Sequence, residues 1–163
     1  MWIIMANNSQ TSEVTWYCKS FSSLNTTELY DFLKLRIDVF VVEQTCYYPD
    51  LDDHDRHADT LHLFCYQNEV MTAYLRILPT GLTYQEHISI GRVVIAPEAR
   101  GTGLGHELMT VALAECKKAF PTNSLKISAQ EHLEKYYNKH GFERVSNMYL
   151  EDNIPHIAMI KVR

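Results

Sequence analysis

The chain has 163 residues, enough for one domain with a buried core, and residues 1–163 read as a single domain. Hydrophobic residues make up 46% and charged ones 21%, which excludes a disordered or fibrous chain. A net charge of −5 argues against nucleic acid as a partner and suits a cationic one such as an amine.

Residues 1–13 turn polar after the first few and read as a flexible end. Trp2-Ile3-Ile4-Met5 lacks a basic flank and is too brief for a signal-peptide core. No apolar run is long enough to span a membrane. Val14 to Cys18 is a strand. Asn25 caps a helix with Glu28 at the third position, and Leu29, Phe32, Leu33 and Phe40 follow at helical spacing. Glu43 to Asp59 is an acidic loop. Leu61–Tyr66 and Val70–Leu78 make a hairpin with Gln67-Asn68-Glu69 at its turn. Glu86 to Ala96 is a central strand that feeds a glycine-rich turn.

A helix from Leu104 to Ala119 carries the stripe Leu104, Leu108, Ala112, Cys116 and Ala119, and Pro121 stops it. Leu125–Ala129 is a strand. Ser128 and Glu131 have capping-box spacing for a short helix that Gly141 ends. Phe142–Val145 and Ile157–Val162 close the sheet. This order predicts one α/β or mixed α+β domain. Cys18, Cys46, Cys65 and Cys116 are scattered with no Cys-x-x-Cys pair, which fits reduced thiols in the cytoplasm rather than a disulfide framework or a zinc site.

The most informative stretch is Arg100-Gly101-Thr102-Gly103-Leu104-Gly105, between the central strand and the long helix. Glycines let the backbone take positive φ and approach a ligand. Successive N–H groups and the helix dipole then favour an anion, such as a pyrophosphate. A Walker A loop requires Lys-Ser/Thr at its end, and the dinucleotide fingerprint requires a third glycine where His106 stands. Neither fits.

The spacing Arg-x-x-Gly-x-Gly after Val94-Ile95-Ala96-Pro97 resembles the acetyl-CoA loop of the GNAT N-acetyltransferases. Tyr136-Tyr137-Asn138-Lys139-His140-Gly141-Phe142 is similar to that superfamily's second motif. Arg36 to Gln44, Asp50-Leu51-Asp52, Ala73 to Arg76, Ile90 to Val94, Ala129 to Leu133 and Ile154 to Ile157 resemble the ElaA subgroup. The match runs from about Leu24 to Met159. One departure is Asp53, where the subgroup tends to have glycine.

The resemblance implies a GNAT fold: a central, strongly twisted mixed sheet whose central strands splay apart to admit the cofactor, flanked by helices. It implies acetyl transfer from acetyl-CoA directly to an amine, a small molecule or a peptide, with no metal. It places the cofactor on the backbone of Val93, Val94 and Ile95 and on Arg100, Gly101, Thr102, Gly103, Leu104 and Gly105. Asn138 is a further candidate for touching the cofactor. Tyr137 matches the family's thiolate acid, with Tyr136 as its rival.

Other roles are read from residue chemistry. Histidine exchanges protons near neutral pH, and His156 follows a proline at the entry of the last strand, so it is the candidate base. Glu43, His62 and His132 are alternatives. Glu43, Asp50, Asp52 and His132 are candidates for the acceptor side, and Arg36, Arg76 and Arg92 are expected to pair with acids of the loop. The acidic run fails the calcium-loop pattern, because Asp55 and Leu61 stand where glycine and glutamate are needed. The alternative function is a CoA or acyl-CoA sensor without turnover. Nucleic acid and membrane are not expected as partners, and a homodimer stays open.

Overall fold

The protein is described from a computed structural model covering residues 13–162. The expectation of a flexible end at residues 1–13 lies almost wholly outside them.

Two sheets carry the fold. The first has the order β1 (Val14–Ser20), β2 (Leu61–Gln67), β3 (Val70–Leu78), β4 (Ser89–Ile95), with antiparallel pairing throughout. The second has β5 (Leu125–Gln130), β8 (Ile154–Lys161) and β6 (Glu143–Arg144), and β7 (Tyr149–Glu151) also pairs β8. The β2–β3 turn is shorter than expected. Gln67 pairs with Val70, and Asn68 and Glu69 alone make the turn, with φ of 49° and 64°. Such double positive φ matches the twist of a hairpin.

Helix α1 (Thr26–Arg36) begins as its sequence dictates. The Asn25 side chain accepts from the Glu28 N–H while the Glu28 carboxylate accepts from the Asn25 N–H. The chain continues as a π-helical stretch, Ile37–Glu43, whose wider turns shift the phase of the stripe. Phe32, Leu35 and Val39 fill one face of the first sheet against Phe64, Met71, Tyr74 and Val94. Phe32 is fully buried and stacks on Tyr74, 4.6 Å between ring centres.

Helix α2 (Leu104–Ala119) covers the other face. Leu104, Leu108, Ala112 and Cys116 are buried as expected, and Met109 joins them. Ala119 is exposed, because the stripe has run past the sheet by the last turn. Tyr137 and Phe142 bring helix α3 (Glu134–Asn138) and the second sheet into the same core.

The Ser128–Glu131 capping box does not form. Ser128 stays in β5, paired with Ala158, and its hydroxyl donates to Glu151. The β5–β8 ladder holds Ser128 extended, so a 3₁₀ turn at Glu131–Leu133 leads into α3 instead. Asp53 sits in another 3₁₀ turn, Asp53–Arg56, and is not among the residues with positive φ, so a side chain is accommodated there without strain.

Candidate active site

The two sheets meet at one point. Ile88 bridges Leu125 in parallel, and its peptide bonds to the Ser124 carbonyl and the Lys126 N–H at 3.1 and 3.0 Å. Beyond that point β4 and β5 part. The space between them is a cleft of about 720 Å³, within the usual range for a small-molecule site. Its walls come from the π-helical stretch after α1 and the acidic loop, from β3 and β4, and from β5, α3 and the β7–β8 hairpin.

The edge of β4 facing the cleft has no strand partner among the described residues beyond Ile88. Ala96 donates to Thr72 across the β3 side. Peptide direction alternates along a strand, so the Ile95 peptide groups face away from β3, and the Ile95 carbonyl accepts from Arg100 Nε at 3.3 Å. The strand also bulges. Tyr74 pairs with Val94 and Arg76 with Gly91, which leaves Arg92 and Val93 opposite Leu75. Arg92 takes φ of 53° at this bulge.

Val93 and Ile95 line the cleft, whereas the Val94 side chain is buried on the α1 side.

The glycine loop closes one end. Gly101 and Gly103 have φ of 74° and 89°, and Gly103 is the N-cap of α2. A Cβ on either would meet nothing within 4 Å, so the space above them is open. The first N–H groups of a helix have no carbonyl to reach within it. Leu104 points into the core, so the loop offers a ligand its backbone. Thr102 ties the loop internally by donating to the Ala99 carbonyl at 2.7 Å. Arg100 and Gly105 line the cleft. Arg100 grips Glu43 with two bonds of 2.6 and 2.9 Å, so the expected cofactor cation and the expected acceptor acid are each other's partner. The Arg100 bond and charge hold the Glu43 carboxyl below its usual range.

Tyr137 is buried against Tyr136 and Phe142 and lines the cleft. Burial, with Tyr136 beside it, pushes its phenol well above the usual value, so it keeps its proton. The Tyr136 hydroxyl instead donates to the Gly105 carbonyl at 2.5 Å and ties α3 to α2. Asn138 does not border the cleft. It ends α3, with its side chain exposed and its carbonyl accepting from Gly141.

The acidic loop is an ion-pair cluster. Arg36 binds Asp50 at 2.8 Å and Asp55 at 2.9 Å; Arg76 binds Asp52 at 2.6 Å and Asp55 at 2.8 Å. Arg92 Nε lies 2.9 Å from the Asp50 carboxylate, Arg92 Nη2 donates to the Asp50 carbonyl at 3.0 Å, and the Tyr48 hydroxyl donates to the Asp50 carboxylate at 2.6 Å. The three arginines thus pair with acids as expected. Asp50 is wholly buried and does not reach the cleft, which corrects its assignment to the acceptor side. Two arginines, Arg36 and Arg92, and the Tyr48 hydroxyl surround it because an unpaired carboxylate could not be buried.

Asp52 does border the cleft. Burial alone would raise its carboxyl, but the Arg76 bonds and the charges of Arg76 and Arg92 prevail and hold it at about 2.

His156 lines the cleft from β8, opposite Gln130 and Tyr149, with Nδ1 donating to the Ile154 carbonyl at 2.8 Å. His132 also lines it. His62 does not. It is fully buried, donates to the Asp55 carbonyl and accepts from the Tyr74 hydroxyl, and burial lowers its pKa. Ser128, Glu151 and Asp152 border the cleft and were absent from the sequence-based site. They come from the β7–β8 hairpin and its contact with β5; Asp152-Asn153 is a turn pair, but the three-residue β7 before it is too short to show a strand period. Among the described residues no group of three or more His, Cys, Asp or Glu is placed to hold a metal, none of the four cysteines is in a disulfide, and no helix is long and apolar enough to cross a membrane.

A family model described as an acetyltransferase (GNAT) domain matches residues 40–163. The chain is 38% identical to protein ElaA of Escherichia coli, over 91% of this chain and 96% of that one, and the crystal structure of E. coli ElaA matches with a TM-score of 0.87. It is 40% identical to a UPF0039 protein of Schizosaccharomyces pombe, over 91% and 97% of the two chains. The crystal structure of an acyl-CoA N-acyltransferase from Pseudomonas aeruginosa is 43% identical, has a TM-score of 0.87, and is covered over 92% of this chain and all of that one.

Proposed function

The chain belongs to the GNAT acetyltransferase family, and from that premise we propose that it transfers an acetyl group from acetyl-CoA directly to an amine in a ternary complex. The observation that carries this reading is the unpaired, bulged edge of β4, which runs along an open cleft toward the glycine loop at the start of α2. An extended amide-bearing arm fits such an edge as an added strand. The open backbone of Gly101 to Gly105 fits a pyrophosphate at the helix N-terminus.

The roles follow from chemistry. Backbone groups of Val93 and Ile95 hold the donor, the Val94 peptide being turned to β3, and an N–H at the bulge stabilises negative charge on the thioester oxygen as the amine attacks. The new C–N bond forms as the C–S bond breaks. Tyr137, protonated and beside the cleft, gives its proton to the departing sulfur. His156 takes the proton that the amine loses, directly or through water. Asp52, Glu43 and His132 border the acceptor side, and Glu151 and Asp152 add negative charge there. Four scattered cysteines without a disulfide among the described residues suit a cytoplasmic location.

The test is release of free thiol from acetyl-CoA across a panel of primary amines and N-terminal peptides. Turnover with one class above the acceptor-free rate supports the enzyme. Tight binding of acetyl-CoA with no turnover on any acceptor supports the sensor and removes Tyr137 and His156 from a catalytic role.

A further inference from the structure

Six non-glycine residues have positive φ among the described residues: Thr45, Asn68, Glu69, Arg92, Asp152 and Asn153. Five stand in turns or loops. Arg92 alone stands inside a strand, at the bulge that faces the cleft. A bulge of this hand ordinarily gives its left-handed position to glycine. Here a glycine stands one position earlier, yet Gly91 has no positive φ and pairs in register with Arg76. The strain therefore falls on a residue with a long cationic side chain, and something must hold it there.

The side chain supplies the hold. Its guanidinium is held by one residue: Nη2 donates to the Asp50 carbonyl at 3.0 Å, and Nε lies 2.9 Å from the Asp50 carboxylate as an ion pair without hydrogen-bond geometry. It also lies over the Tyr48 ring at 5.3 Å, and the Tyr48 hydroxyl bonds the same carboxylate. Asp50 is itself immobile. Its side chain is wholly buried and bound by Arg36, which is wholly buried too.

We infer that Arg92 is a positioning residue: the Asp50–Arg92 clamp holds the β4 bulge in its left-handed turn and so aims the backbone at the thioester. The inference rests on the proposed acetyl transfer and assigns a task to the acidic loop that sequence reading gave to substrate. Asp50 acts on the reaction through Arg92 and the backbone, without contact to either substrate.

The test uses the different tolerance of residues for positive φ. Arg92→Ala removes the clamp and keeps a Cβ; Arg92→Gly removes the clamp and permits the turn. Both lose the same ion pair, so lost charge cancels in the comparison. Arg92→Ala is expected to lower kcat about 100-fold, the scale of losing one oxyanion donor. Arg92→Gly is expected to recover at least about ten-fold of that loss. Crystal structures of the two variants should show positive φ at position 92 in the glycine variant only.

Equal kcat in the two variants, or a retained bulge in the alanine variant, overturns the inference. Should Arg92→Ala fail to fold, Arg92→Lys keeps the charge but cannot grip both the carboxylate and the carbonyl. Full turnover in that variant overturns the inference as well. If the wild-type protein releases no thiol with any amine, the acetyl-transfer reading fails, and the φ at position 92 in the variants still decides the clamp.

Discussion

Two adjacent tyrosines show how much one position matters. Tyr136 and Tyr137 share a helix and a chemistry, but α3 aims them differently. The Tyr136 hydroxyl is engaged by the Gly105 carbonyl, whereas burial keeps the Tyr137 phenol protonated beside the cleft. Tyr137→Phe is expected to leave acetyl-CoA affinity nearly intact and lower turnover by about 10²–10⁴-fold, the range for a general acid. Calorimetry and thiol release on the same preparation check it, and wild-type turnover under rate-limiting chemistry removes Tyr137 from the reaction. For His156 the expected outcome is a change of shape. His156→Ala should abolish the limb of kcat/KM that rises with pH, whereas a structural histidine leaves the profile of the folded fraction unchanged.

At the scale of the element, the start of α2 carries the cofactor end. Gly103 is its N-cap at φ of 89°, with open space where a Cβ would stand. A β-branched residue there meets both obstacles, a strained φ and a side chain in the space left for phosphate. Gly103→Val is therefore expected to lose measurable CoA binding by calorimetry while circular dichroism still reports a folded protein. Unchanged affinity would move the phosphate site elsewhere. The start of α1 offers a control remote from the cleft. Asn25→Ala breaks the capping box and should cost about 1 kcal/mol in urea unfolding, with no change in turnover.

At the scale of the molecule, the ion-pair cluster joins α1, the acidic loop, β3 and β4. Burial opposes the charge on Asp55, but Arg36 and Arg76 outweigh it and its carboxyl lies below the usual range; Asp52 lies at about 2. Carboxyls depressed by folding contribute stability that is complete above the unfolded carboxylate value of about 3.9 and fades as pH falls below it. Stability should therefore hold from neutral pH to about 4 and fall steeply toward about 2. Asp52→Asn removes one such group, so its deficit against wild type should shrink as pH drops through that window. Urea unfolding at several pH values measures this, and a constant deficit would show that the Asp52 charge contributes nothing.

The sequence by itself determined what depends on neighbours in the chain. The Asn25–Glu28 box, the two strands around Asn68-Glu69, the stripe from Leu104 to Cys116 and the glycine turn at the head of α2 all follow from local periodicity, capping and turn chemistry. The family motifs were legible for the same reason. Tertiary structure decided what depends on residues far apart in the chain. Asp50 became Arg36's buried partner rather than a substrate contact, and Glu43 met Arg100 across 57 positions. Ser128 stayed in a strand because β8 pairs with it, and Arg92 rather than Gly91 took the left-handed turn because Asp50 holds its side chain. In each case a local preference lost to an ion pair or a ladder bond whose partner's position is set only when the elements pack.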